Sequence, residues 1–188
     1  MTDQEISQGC RQDDPKAQKA FYDRFAPKMF GVCKRYIKGK EDAEDLLIEG
    51  LFKAIDNIHS YKGGGSFEGW VRRIVVNECL MFLRKKHPLK VSIEVHPTDA
   101  PTKVTIEDDL AAQDILNLLN QLPTGYRTIF NLYVIEGYKH REIAEELGIS
   151  INTSKSQLIL AKKKLQGLLE EQQYPGVNLY KKKVVSNW

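Results

Sequence analysis

The sequence predicts an all-α protein: two small helical domains joined by a flexible linker, the second ending in a helix-turn-helix. Three observations carry this. Apolar residues recur at three- and four-residue steps through 41–58 and again through 67–86, the period of a helix with one buried face. Residues 87–106, HPLKVSIEVHPTDAPTKVTI, hold three prolines and no sustained helical period, which marks a boundary. Residues 140–170 then read as a short helix, a glycine-containing turn and a longer basic helix.

At 188 residues the chain has room for one domain or two small ones, and 41% hydrophobic residues suffice for packed cores. No stretch approaches the ~20 apolar residues that cross a bilayer, so no membrane insertion is expected. The N-terminal MTDQEISQGCRQDD is acidic and polar, unlike a secretory signal. Cys10, Cys33 and Cys79 are odd in number and widely spaced, neither a disulfide framework nor a metal knuckle. A reducing cytoplasm is the compartment that fits. The net charge of +3 says little by itself; the segregation of acidic and basic residues along the chain says more.

In the first domain, 1–87, a short helix is expected around Gln4–Cys10. Asp14–Pro15 is a helix start, a capping carboxylate followed by a first-turn proline. Ala17, Ala20, Phe21 and Phe25 continue it until Pro27, which is expected to break or kink it. A second stretch carries Met29, Phe30, Cys33, Tyr36 and Ile37 and ends at Gly39. The helix at about 41–58 places Ala43, Leu46, Leu47, Leu51, Ala54, Ile55 and Ile58 inward. It leaves Asp42, Glu44, Asp45 and Glu49 on its surface, where they also suit the N-terminal end of the helix dipole. Gly50 in mid-helix costs up to ~1 kcal/mol against alanine; it reads as a point of close packing, with simple tolerance as the alternative.

HSYKGGGS (59–66) reads as a non-helical loop, because three successive glycines leave the backbone loose. Tyr61 and Lys62 on it read either as part of a solvent-exposed connection or as an aromatic-plus-cation surface suited to unpaired bases. No GK[ST] follows the glycines, so this is not a phosphate loop. Ser66 caps a helix from Phe67 to about Lys86, with Phe67, Trp70, Val71, Ile74 and Val75 on one face. Arg73 and Asn77, four apart, share another, with Arg84 near the same side. Arg72, Lys85 and Lys86 add charge. Cations for phosphate beside an asparagine able to donate and accept is chemistry suited to DNA. Trp70 taken alone reads as core.

After the linker, 88–106, in which Val91, Ile93 and Val95 alternate as a short extended piece would, the second domain spans 107–170. A helix from Glu107 to Gln121 buries Leu110, Ile115, Leu118, Leu119 and Leu122. Pro123 opens another, with Tyr126, Ile129, Phe130, Tyr133 and Val134 packing before Gly137. The short helix 140–147 turns Ile143, Ala144 and Leu147 inward, and Gly148 closes it. Ser150 caps the last helix, which buries Leu158, Ala161 and Leu165, with Ile151 and Ser154 near its start. Asn152, Thr153, Lys155, Ser156 and Ile159 fall on its exposed N-terminal half, where a recognition helix meets base edges, and Lys162, Lys163 and Lys164 suit phosphates. The tail 171–188 is given no role.

DAEDLLIEGLFKAI, then FEGWVRRIVVN with LRKK, then LNQLPTGYRTIFNLYVIEGYKHREIAEELGISINTSKSQLILAKKKL together resemble an extracytoplasmic-function (ECF) sigma factor, the minimal type of sigma-70 family factor for bacterial RNA polymerase. The likeness covers roughly residues 15–170. It implies no catalysis and no cofactor or metal, with core RNA polymerase and promoter DNA as partners. Anti-sigma proteins are also common partners in that family. By resemblance, Asp42, Glu44, Asp45, Ile48 and Glu49 dock on the clamp coiled coil of the polymerase large subunit. Tyr61, Lys62, Arg72, Arg73, Asn77, Arg84 and Lys85 take the melted −10 element. Asn152, Thr153, Lys155, Ser156, Gln157, Ile159 and Lys162 meet the −35 duplex. Ile48 stands where the family usually has glutamine, and Gln157 and Leu160 stand where basic residues are frequent.

A helix-turn-helix regulator that never joins polymerase would explain 138–170 and leave 42–86 unused. A partner-only helical adaptor would leave the basic helix unused. An enzyme lacks a constellation: His59, His87, His96 and His140 have no ligand spacing with one another or with the cysteines, and the carboxylates lie on a helix surface.

Overall fold

The computed structural model describes residues 1–86 and 112–171. They fall in two compact units, one within Met1–Pro88 and one within Leu89–Trp188, and the described residues hold helices and no strand. The linker expected over 88–106, the first residues of the helix expected from Glu107, and the tail beyond Glu171 lie outside the described residues.

Unit 1 contains α1 (Asp3–Arg11), α2 (Pro15–Tyr36), α3 (Lys40–Asp56), a 3₁₀ turn (Ile58–Ser60) and α4 (Phe67–Lys86). α1 starts at a reciprocal cap: the Glu5 amide donates to the Thr2 hydroxyl, and the Thr2 amide donates to the Glu5 carboxylate. Those bonds to the charged form hold the Glu5 carboxyl below its ordinary range. Asp14 caps α2 through the Lys16 amide at 3.0 Å.

α2 does not break at Pro27; it runs through as one helix. Proline removes one donor and crowds the carbonyl four residues back, that of Asp23. Asp23 and Pro27 both face solvent, so water can serve that carbonyl. The interior on either side (Phe21, Phe25, Met29, Val32 and Cys33) holds the two halves in register. Phe21, Phe25 and Phe67 form the centre of this unit, with ring centroids 5.0–5.9 Å apart.

At Gly50 α3 and α4 approach closely. A Cβ there would lie 3.0 Å from the Val75 side chain and 3.3 Å from its Cα, so the close packing inferred from sequence is present. The loop expected over 59–66 is shorter by its first residues, since His59 and Ser60 complete the 3₁₀ turn that buries Ile58. Ser66 caps α4, accepting from the Gly69 amide at 3.2 Å.

Unit 2 contains α5 (Ala112–Asn120), α6 (Thr124–Phe130), α7 (His140–Leu147) and α8 (Ile151–Glu171). Between α6 and α7 the chain widens into a π-turn, Asn131–Ile135. The Glu136 amide donates five residues back to the Asn131 carbonyl at 2.9 Å, and Gly137 leaves at φ +77°. Ile129, Phe130 and Leu132 are buried, whereas Tyr126, Tyr133 and Val134 are only half-buried. α7 ends on Gly148 at φ +64°, with the Ile149 amide returning to the Ala144 carbonyl at 3.0 Å, a left-handed stop that aims the chain into α8. Leu158, Ala161 and Leu165 are buried as expected.

Candidate nucleic-acid and partner-binding surfaces

In unit 1 the glycine loop is held at both ends. The Tyr61 ring packs on Phe67 (4.9 Å between centroids) and Trp70 (5.5 Å), and its hydroxyl donates to the Gly65 carbonyl at 2.7 Å. Across the sequence, the Arg11 guanidinium of α1 donates to the Tyr61 carbonyl. Arg24 ties the start of α1 down through Asp3 at 2.6 Å. Between α1 and the loop lies a cavity of about 640 Å³ whose lining includes Gln4, Ser7, Gln8, Arg11, Tyr61 and Lys62. The three glycines therefore lie on a braced loop beside an open polar cavity. One Tyr61 face is already spent on Phe67 and Trp70, and Trp70 is half-buried rather than core.

α4 brings Arg73 to the surface with Asn77 half-buried one turn on, the pairing expected from their spacing. Arg84 and Lys85 are exposed at its C-terminal end. Arg72 is half-buried 3.7 Å from Glu68, and Glu68 also meets Lys28 at 2.5 Å, so Arg72 is partly neutralised in place.

On α3 the expected acidic surface is present but uneven. Glu44, Asp45 and Glu49 are exposed, whereas Asp42 is half-buried and chelates Lys86 Nζ of α4 at 3.1 Å from each carboxylate oxygen. Among the carboxylates stand two exposed apolar side chains one turn apart, Ile48 (50%) and Phe52 (66%). Phe52 was not singled out by sequence reasoning. Its signal was available, since it falls off the buried stripe of Leu46, Leu47, Leu51 and Ala54.

In unit 2 the Ser150 hydroxyl caps α8, accepting from the Thr153 amide at 2.9 Å. Asn152, Lys155 and Ile159 are exposed, and Thr153, Ser156 and Gln157 are half-exposed. Two expectations need correction. Ile151 is 43% exposed, not part of the core. Lys162 is 5% exposed; burial holds its pKa below the ordinary lysine value, and it lies with the interior of the unit instead of on a phosphate-facing side. Three consecutive lysines advance ~100° each around a helix, so Lys163 and Lys164 stay exposed while Lys162, in phase with Leu158 and Leu165, turns in. The start of α8 is tied to α7: His140 Nδ1 lies 2.9 Å from the buried Ser154 hydroxyl, and its ring stacks on Tyr133 at 4.3 Å.

The reactive-looking groups are interior. Cys33 and Cys79 are buried side by side, and Cys79 is pushed far above the ordinary thiol range, first by its contact with Cys33 and then by burial. Such a thiol is a poor nucleophile. Among the described residues no group of three or more His, Cys, Asp or Glu side chains is placed to hold a metal, and no helix is long and apolar enough to cross a membrane.

Two family descriptions match this chain: Sigma-70 region 2 over residues 21–88 and Sigma-70, region 4, over 112–165. The RNA polymerase sigma factor SigV of Bacillus subtilis is 31% identical over 128 residues, covering 68% of this chain and 76% of that protein. The chain belongs to the sigma-70 family, in its ECF branch. The ECF RNA polymerase sigma-E factor of Haemophilus influenzae is 24% identical over 184 residues, 90% of this chain and 96% of that one. Among solved structures, the sigma factor RpoE of Bartonella quintana, in complex with the anti-sigma factor NepR, aligns with a TM-score of 0.52 at 25% identity. The alignment covers 81% of this chain and 96% of that one.

As an ECF sigma factor the protein is a non-enzymatic initiation factor that binds core RNA polymerase and promoter DNA. The sigma-70 region 2 match begins after α1, so the sigma factor's loop-bracing residue Arg11 lies outside it. Arg11 and Tyr61 are fifty positions apart, and no periodicity in the sequence relates them.

Proposed function

We propose that the two units divide promoter recognition. Unit 1 takes the melted −10 strand on the loop 61–66 and the Arg73–Asn77 side of α4; unit 2 reads the −35 duplex with the N-terminal half of α8. α3 docks on the clamp coiled coil of the polymerase large subunit. The observation that carries this is the braced loop. A triple-glycine segment costs much entropy to order on binding, yet here Tyr61, its ring contacts and Arg11 hold it beside an open polar cavity before any ligand arrives. A preformed receptor of that kind suits capture of an unstacked base, whose extrusion costs a few kcal/mol. Each DNA module alone would bind weakly; holding both on polymerase supplies effective concentration.

The protein would act in the cytoplasm, where polymerase is. The Bartonella quintana relative is bound by an anti-sigma factor; a partner of that kind is proposed here too, and co-purification from the native host reads it out.

The test is run-off transcription with bacterial core polymerase on genomic fragments, followed by permanganate footprinting of unpaired thymines. Wild-type protein should create new start sites. Asn77→Ala should cut promoter opening at least tenfold while leaving polymerase binding within about twofold. Equal loss of both would sink the −10 assignment.

A further inference from the structure

Among the described residues of unit 2, the large apolar side chains left exposed are Ile151 and Ile159. Both lie on α8. With Lys155 and Lys163 they make an unbroken i, i+4, i+8, i+12 ridge, Ile–Lys–Ile–Lys, and all four residues are exposed. Among the described residues, the buried side of α8 is made without them, by Ser154, Leu158, Ala161, Lys162, Leu165, Leu168 and Leu169. The two isoleucines offer contact to an apolar counterpart, and the lysines along the same ridge offer contact to an anionic or electron-rich one. The major groove offers both on one wall. The thymine C5-methyl is its apolar feature, and guanine O6 and N7 are the acceptors a lysine reads.

The spacing narrows this further. At about 1.5 Å rise per residue, Ile151 and Ile159 are about 12 Å apart along the helix axis. Base pairs stack at about 3.4 Å, so a helix lying along the groove sets the two side chains about three to four base pairs apart.

We infer that Ile151 and Ile159 are specificity-determining residues of the −35 contact, each seated on a thymine methyl, with Lys155 on a guanine between them and Lys163 on a flanking phosphate. The inference rests on the proposed −35 role of α8. It names the bases that role would select, and it assigns a contact to Ile151, which lies outside the set carried over by family resemblance. It also gives the Gln157 and Leu160 departures a context: with fewer phosphate charges on the helix, apolar base contacts carry more of the discrimination.

The experiment uses the full chain on core polymerase. A library of duplex promoter fragments randomised in the −35 segment is selected for holoenzyme binding. The best sequence is then remade with each thymine in turn replaced by uracil, which removes only the methyl. Two thymines about three to four base pairs apart, on either strand, should be selected. Each uracil should weaken wild-type binding about fourfold, the worth of one buried methyl. Ile151→Ala should abolish sensitivity at one of these thymines and Ile159→Ala at the other. Both side chains are exposed, so neither change should move the melting temperature. Uracil without effect on the wild type, or with the same effect on both alanine variants, overturns the inference while selection and transcription leave the −35 role standing. If the holoenzyme selects no −35 sequence, and duplex binding is indifferent to Lys155→Ala, the −35 role falls and takes the inference with it.

Discussion

α3 and α8 use one device with opposite charge. Each long helix buries one stripe and leaves two large apolar side chains exposed, Ile48 and Phe52 on α3, Ile151 and Ile159 on α8. On α3 their exposed charged neighbours are Glu44, Asp45, Glu49 and Asp56, with Lys53 engaged on Glu78; on α8 they are Lys155 and Lys163. Under the proposed division of promoter recognition, the apolar residues would supply contact area and the charges would choose the partner. A carboxylate-ringed apolar pair repels DNA and suits a basic protein surface; a lysine-ringed pair does the reverse. Net charge alone, +3 over the chain, conceals this division.

The comparison is broken most forcefully at Phe52. Placing a carboxylate there removes the most exposed apolar side chain of α3 and adds a charge that a protein counterpart must desolvate. Phe52→Asp should weaken core polymerase binding by about 2–4 kcal/mol, roughly thirty- to a thousandfold. Duplex −35 binding by the free protein should stay unchanged. Titration of labelled polymerase checks the first and anisotropy the second. If polymerase affinity stays within twofold, the α3 half of the comparison is wrong, and the exposed pair is an incidental apolar surface of the kind many proteins carry.

The second difference is how each helix is fastened. α3 is held to α4 by the Gly50–Val75 approach and by Lys53 Nζ on the buried Glu78 carboxylate at 2.6 Å. Glu78 is 5% exposed and Lys53 46%, so the pair is half-wet and worth less than a fully buried one. Lys53→Met, which strands the Glu78 charge, should destabilise unit 1 by about 1–3 kcal/mol. Adding Glu78→Gln should restore part of that. Thermal unfolding of the four proteins in a double-mutant cycle measures it; a coupling near zero would show that water already serves Glu78.

Much of this was legible in the sequence. The buried stripes of α3, α4 and α8 follow from a period near 3.6, and Ser66, Gly137, Gly148 and Ser150 punctuate the chain where their chemistry says they should. The misreadings have separate physical causes. Pro27 sits in a continuous helix because the carbonyl it displaces faces water. Periodicity gives the side of a helix on which a residue lies, not whether anything lies opposite: Ile151 is in phase with Leu158 but begins α8, and it stays exposed. Composition groups Lys162 with its lysine neighbours, whereas helical phase sets it with the buried Leu158, Leu165 and Leu169. The Arg11 brace was out of reach, because contacts between distant segments leave no local pattern.

Besides its apolar stripe, the start of α8 is fastened through His140, whose Nδ1 meets Ser154 and whose ring stacks on Tyr133. The smallest expected effect lies here. Burial, and then the charges of Lys155 and Lys162, hold the His140 pKa below its ordinary value near 6.5. The folded protein therefore favours neutral imidazole. As pH falls through about 6.5 the unfolded chain takes up this proton first, and its binding pulls the equilibrium towards unfolding. The contribution of His140 is thus fully present above pH ~6.5 and is lost as pH falls towards the lower folded pKa. The loss should appear as a modest drop in the melting temperature of unit 2 over that window, which His140→Gln should flatten. DNA should shift the midpoint: a duplex that neutralises Lys155 removes part of the repulsion and raises the His140 pKa. NMR titration of the imidazole with and without −35 duplex reads that shift directly. A midpoint indifferent to DNA would mean that Lys155 is not neutralised in the complex, and would weaken the case that the lysine-bordered ridge of α8 is the side that meets the groove.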